Sequence, residues 1–200
     1  MVRVLLRPVT ESLACELWAQ GHSETDWPNF LKSWPSFMDH IRQFWALDAL
    51  GLGSLKIVTV EEGICGFVTI TDADERFLPD GIRGVECGTY LLERFRHTGL
   101  NASVKRECFR EVFDRTTVDC CLFVVATRNA RAIRALEKLG LRSWPDDSLA
   151  STDMSLWPYL RRKSWEQGES CVLFVLWRQQ HEQCKGQSSS TGIQSSITKH

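Results

Sequence analysis

The run VDCCLFVVA, Val118 to Ala126, constrains the fold more than any other stretch because it is almost continuously apolar. A strand with one wet face alternates apolar and polar residues. A run without alternation has to be covered on both faces, as in the parallel part of an α/β sheet. Its neighbours agree with this. Upstream, a helix over Ala102 to Arg115 places Val104, Cys108, Phe109, Val112 and Phe113 on one face. Downstream, Asn129 precedes a helix over Ala130 to Leu139 with an Ile133, Leu136, Leu139 seam, and Gly140 follows where a left-handed cap is favoured. With a strand over Val85 to Leu92 ahead of the first helix, the order is βαβα, and parallel strands joined this way require a right-handed crossover.

The rest of the chain supplies the other layers. Val2 to Val9 reads as a strand stopped by Pro8, and a hydroxyl of Thr10-Glu11-Ser12 caps a helix over Leu13 to Gln20. Between Ser23 and Leu50, Trp27, Phe30, Trp34, Phe37, Phe44 and Trp45 recur at helical spacing, broken by Pro28 and Pro35, which predicts one or two short helices. Core or lid packing is the plainer role for these rings, and substrate contact is the other. Leu55 to Val60 and Ile64 to Thr71 flank Glu61-Glu62-Gly63 as a hairpin. A Pro79-Asp80-Gly81 turn leads to the strand at 85, so three neighbouring strands are antiparallel. The stretch 143–168 predicts a partly ordered loop with a short helix, and Cys171 to Arg178 a last strand. The fold class is therefore α/β (α+β), a mixed sheet with helices on both faces. One domain over 1–181 is expected, followed by a Ser-rich, disordered tail over 182–200.

Bulk chemistry narrows the partners. A formal charge of −1 and a pI near 6.5 give no electrostatic case for nucleic acid or a membrane surface. Lys105, Arg106 and Arg110 read as a solvated helix face rather than a nucleic-acid patch, and Arg128, Arg131 and Arg134 likewise. Of the eight cysteines most lie in apolar periodic segments, and no CxxC or Cys/His spacing appears. They read as reduced core thiols, with Cys120 and Cys121 on opposite strand faces and no metal site. MVRVLLRPVT lacks a signal-type apolar run, and nothing approaches the roughly 20 apolar residues of a membrane span. A soluble, cytoplasmic protein, monomer or homodimer, is the expectation.

The chemistry is sought in Arg96-His97-Thr98-Gly99-Leu100-Asn101-Ala102, at the head of the first amphipathic helix. A helix start leaves amides unpaired at the positive end of its dipole, which suits a diphosphate, and glycine permits close approach. Arg96, Thr98 and Lys105 add charge and a hydroxyl. An ordinary turn with an N-cap accounts for the same letters equally well when they are taken alone.

The Asn129 element one strand later alters that balance. Arg96-x-x-Gly99-x-Asn101, followed by Asn129 through Glu137-Lys138-Leu139-Gly140-Leu141, resembles the GNAT superfamily of N-acetyltransferases, in the branch of the ribosomal-protein N-terminal acetyltransferases. The resemblance runs from Arg3-x-x-x-Arg7-Pro8 to the strand CVLFVLWR. It implies a sheet splayed between the strands at 85–92 and 118–126, with acetyl-CoA in the split and no metal. The pantetheine arm would pair with the backbone of Thr89, Tyr90 and Leu91. The diphosphate would lie on the amides from His97 to Ala102, with Asn129 on the opposite side and the 3′-phosphate near the arginines that follow it. An amine acceptor would enter through a pocket built from 21–53 and 143–168.

Three positions depart from the family pattern. Asn101 replaces a small residue, the tyrosine often used to protonate the leaving thiolate is Leu136, and a serine found in some relatives is Ala132. A backbone amide near Gly88 could serve the oxyanion. Glu86 is the candidate base, acting directly or through water, with a solvated strand carboxylate as the alternative. His97 and Tyr90 are weaker candidates.

Overall fold

The computed structural model describes residues 2–28, 31–144 and 156–183. In chain order they form β1 (Leu5–Pro8), α1 (Glu11–Gly21), α2 (Trp34–Ala49), β2 (Gly53–Val60), β3 (Gly63–Asp72), β4 (Gly84–Leu91), α3 (Leu100–Arg115), β5 (Cys120–Ala126), α4 (Ala130–Glu137), β6 (Ser143–Trp144), α5 (Trp157–Gln167) and β7 (Cys171–Trp177).

Local chemistry explains most of the boundaries. Thr10 caps α1, its Oγ1 accepting from the Leu13 amide at 3.3 Å. Ser33 does the same for α2, and Pro35 sits in that helix's first turn, where its missing N–H has no intrahelical partner to lose. Pro35 thus starts a helix of 16 residues rather than breaking one, so that of the one or two short helices expected there is one among the described residues, longer than expected. The stretch 143–168 carries the short helix expected of it, with an edge strand that was not expected. It holds the edge strand β6 and the 11-residue α5, with Pro158 in the first turn and Gly168 closing it at φ 66°. The expected Ser-rich tail, Phe30 and Cys184 lie outside the described residues.

The seven strands form one sheet in the order β1-β2-β3-β4-β5-β7-β6. All neighbours are antiparallel except β4 and β5, which are parallel and matched over only three pairs: Gly84 with Cys120, Val85 with Cys121, Glu86 with Leu122. Past that point β4 stays with β3 as far as Leu91, and β5 stays with β7 as far as Ala126. The sheet therefore splits in its middle, and the β5-side edge of Cys87 to Leu91 has no strand beside it.

Strand alternation sorts the core into two faces. On one, Val104, Cys108, Phe109 and Leu136 of α3 and α4 pack on Cys87, Cys121 and Phe123. On the other, α1 and α2 cover Ile57 and Phe67, with Trp27, Phe37 and Phe44 buried among them, while Tyr159 and Leu160 of α5 cover Cys120 and Leu122. Trp34 and Trp45 stay partly exposed. Cys120 and Cys121 do point to opposite faces, and the seven described cysteines are free. Among the described residues no helix is long and apolar enough to cross a membrane.

Candidate active site

The split opens onto a cleft of about 540 Å³. Three contiguous stretches wall it: Thr89, Tyr90 and Leu91 at the free edge of β4, the loop and first turn of α3, and the start of α4 with Asn129. Nine of the eleven cofactor positions expected from sequence stand on that wall. The other two hold it in shape. Thr98 donates from Oγ1 to the Phe95 carbonyl at 2.8 Å and accepts from the Leu100 amide at 3.4 Å, and Leu100 is buried in the core.

Gly99 is the N-cap of α3 at φ 82° and has no side chain to cap the helix; of the first-turn amides, Leu100 donates to the Thr98 hydroxyl and Ala102 to the Gly99 carbonyl at 3.3 Å. A Cβ added at Gly99 would meet nothing within 4 Å. His97 before it is also left-handed, at φ 65°. Opposite, Asn129 caps α4 through Oδ1, which accepts from the Ala132 amide at 3.1 Å. Arg131, Arg134 and Lys138 of α4 face the same cleft. A concave, cationic wall beside an open helix start is suited to a ligand bearing several phosphates.

Two charged residues behave differently from their sequence reading. Lys105 is not on a solvated helix face: it is 7% exposed, with Nζ 3.4 Å from Thr89 Oγ1 and 4.8 Å from the centre of the Phe123 ring. It sits there because the splayed strands leave room between Thr89 and Phe123 that one long aliphatic stem can fill. Burial lowers its pKa, against which the nearby Cys108 and Cys87 act weakly. Arg96 does not reach out as a free phosphate ligand. Its guanidinium donates to the Leu91 carbonyl at 2.7 Å, the Tyr90 hydroxyl at 2.9 Å and Glu24 at 3.1 Å, and it also pairs with Asp26.

Glu24 is the hub of that cluster. It accepts the Tyr90 hydroxyl proton at 2.6 Å and the Glu93 amide at 2.6 Å. Burial, then the Glu24 carboxylate, push the Tyr90 phenol well above its ordinary pKa, which makes it a poor acid. Asp26 reaches across to Arg131 at 3.3 Å, so the segment between α1 and α2 touches both walls of the cleft.

Glu86 lies on the other face of β4 and is not on the cleft wall. It occupies the last β4 position paired with β5, at the root of the split. Its Oε2 accepts from the Tyr159 hydroxyl at 2.7 Å and from Lys163 Nζ at 2.8 Å, both from α5. Burial and the Glu86 charge push the Tyr159 phenol up. Burial pulls the Lys163 ammonium down, but Glu86 and Glu166 outweigh it and the net shift is upward. Tyr159, Lys163, Glu24 and Asp26 carried no signal as site residues in the sequence. The one available trace was the i, i+4 spacing of Tyr159 and Lys163, in a stretch read as a partly ordered loop with a short helix of unspecified bounds. Leu136 is a core residue at 1% exposure, and Ala132 is on the cleft wall.

A mixed sheet split at its one parallel pair, with a helix start and a cationic wall at the opening, is an α/β architecture suited to a phosphate-bearing ligand. A family model described as the GNAT acetyltransferase domain matches residues 3–142, and the chain belongs to that family. Solved structures with the same fold include FdhC, a nucleotide-linked sugar GNAT, at TM-score 0.65 and 15% identity over 93% of each chain. RimL, a ribosomal L7/L12 α-N-protein acetyltransferase in complex with coenzyme A, aligns at TM-score 0.59 and 12% identity, over 87% of this chain and 93% of that one. Spermidine N-acetyltransferase from Vibrio cholerae, with CoA and spermine, aligns at 0.62 and 10% over 89% and 97%. No curated protein matches the sequence significantly.

Proposed function

We propose that this protein is an acetyl-CoA-dependent N-acetyltransferase that moves the acetyl group directly to a primary amine. The observation that carries the reading is the cleft at the β4–β5 split, in which an open helix start, a free strand edge and cationic side chains converge. Bound acetyl-CoA supplies an activated acyl thioester. The first-turn amides from His97 to Ala102 would hold its diphosphate, and the unpaired edge at Thr89, Tyr90 and Leu91 its amide-bearing arm. Asn129 would bound the other side, with Arg131 and Arg134 near the 3′-phosphate, and the Gly88 amide would meet the oxyanion. Arg96 acts here as a clamp that fixes the end of β4 to the cradle loop.

The attacking amine has to be neutral. Glu86 would take its proton, with the acceptor entering from the face built by α1, α2 and α5; the contacts of Tyr159 and Lys163, which fix the carboxylate, support this. The three neighbours above are named for acceptors as unlike as a nucleotide-linked sugar, a ribosomal protein and a polyamine. The reading therefore stops at a primary amine, a protein or peptide N-terminus or a small molecule.

Melting the protein with CoA and with acetyl-CoA, followed by an acceptor screen with labelled acetyl-CoA, tests both halves. Absence of any shift would defeat the donor assignment. A second reading, a CoA-binding module with little turnover, is favoured by one observation: the candidate base already has its oxygen occupied by Tyr159 and Lys163. CoA binding without thiol release across a broad amine panel would establish it.

A further inference from the structure

Lys105 is the feature the function above leaves unused. A buried ammonium without a counter-ion is costly, and such groups are kept where a ligand or a reaction needs them. Among the described residues no carboxylate pairs with Lys105. Its polar contact is the Thr89 hydroxyl at 3.4 Å, and the Phe123 ring face lies below it at 4.8 Å. The titratable groups facing it are Cys108 of α3 and Cys87 of β4, both thiols pushed well above their ordinary pKa and hence neutral. β5 contributes Phe123, and α4 contributes Arg131, Arg134 and Lys138 to the same cleft.

Position along the cleft gives this cation a task. One end, at Gly99, is open to phosphates. At the other end, Thr89 stands three residues beyond the last β4–β5 pair, where the split closes. A donor anchored by its phosphates at the first end carries its thioester toward the second, which is where Lys105 stands. Transfer breaks a C–S bond and leaves a thiolate that needs a proton.

The other cleft groups are unsuited to give one. Tyr90 has its hydroxyl committed to Glu24, the arginines do not deprotonate, and His97 stands in the loop at the phosphate end. Lys138 begins the C-cap of α4, and Tyr159 is on the opposite face of the sheet.

We propose that Lys105 is the catalytic acid of the transfer, giving its ammonium proton to the departing thiolate. The inference rests on the acetyltransferase reading. In balance, the amine nitrogen bonds to the acyl carbon, the C–S bond breaks, the sulfur takes the proton of Lys105, and the proton lost by the amine passes through Glu86 and solvent to restore the ammonium. The products are the N-acetyl amine and CoA thiol. Burial supports the role, since a lysine with a lowered pKa is the better acid.

The test uses Lys105→Met and Lys105→Arg. The thiolate absorbance of CoA bound to each protein is titrated with pH, against the complex with desulfo-CoA as blank. The bound thiol should ionise about one pH unit lower in wild type and Lys105→Arg than in Lys105→Met. In turnover both variants should lose about 100-fold or more in kcat with KM for acetyl-CoA within about threefold. The loss should shrink at least tenfold with the acetyl selenoester of the same nucleotide, whose leaving group needs no proton. Equal thiol titration in wild type and Lys105→Met, or full kcat in Lys105→Arg, overturns the proposal. If wild type binds no CoA, the acetyltransferase reading falls first and this one with it.

Discussion

Gly99 separates the cradle from the fold. Its φ of 82° is left-handed, and a Cβ placed there meets nothing within 4 Å. Gly99→Ala therefore adds backbone strain alone, about 1–2 kcal/mol, equivalent to about 2–8 °C of melting temperature in a domain of this size. Gly99→Leu carries the same backbone cost, because both add the same Cβ, but its side chain extends into the space before the first turn of α3. If phosphate oxygens occupy that space, leucine also removes at least one charge-assisted hydrogen bond, about 1.5–3 kcal/mol, or about 10- to 150-fold in Kd. The assay is melting of the free proteins beside calorimetric titration with CoA. Equal melting losses in the two variants, with the large affinity loss confined to leucine, are expected. If Gly99→Leu binds CoA as wild type does while melting like Gly99→Ala, the phosphates do not lie on this helix start.

Gly66 makes the opposite case, since a Cβ there would lie 2.0 Å from the Tyr90 carbonyl oxygen of β4. Backbone cannot yield as a side chain can, so Gly66→Ala should cost more than about 3 kcal/mol, and its melting loss should exceed that of Gly99→Ala. Glu24→Gln leaves Arg96 without its most buried partner, the two side chains being 10% and 12% exposed. A loss of about 3–5 kcal/mol in denaturant unfolding is expected, and a change under about 1 kcal/mol would show the cluster to be incidental. Asp74 is held down to about 2 from 3.8, first by its hydrogen bond to Arg76. A depressed carboxyl contributes stability that is present above its unfolded pKa and lost as pH falls through its folded one. The melting difference between wild type and Asp74→Asn should therefore be constant above pH 5 and shrink between about pH 4 and pH 2.

Legibility followed the range of the interactions. The apolar run at 118–126 and the periodic faces of α3 and α4 are local patterns, so the βαβα unit and its parallel strand pair were readable without coordinates, whereas the placing of β7 between β5 and β6 was not. That Gly99 and Asn129 each start a helix was readable for the same reason: both act through their own backbone and the next few residues. Pro35 misled because a proline breaks a helix or begins one according to its position in the turn, and Ser33 three residues before Ser36 was the deciding letter. Across 143–168 a short helix was expected but its bounds were not, since α5 buries only Tyr159 and Leu160 and the aromatic residues are not spaced to a single face.

The sequence by itself determined the class of fold and the family, and it singled out most of the residues that line the cleft at the split. Each of these depends on periodicity or on a short motif in fixed order. Only the tertiary structure decided which charges are available there. Arg96 is held by Glu24, 72 residues away, and Glu86 by Tyr159, 73 residues away, pairings that no local pattern encodes. Lys105 occupies a helix position that reads as solvated, yet it lies buried beside the split of the sheet, where burial lowers its pKa.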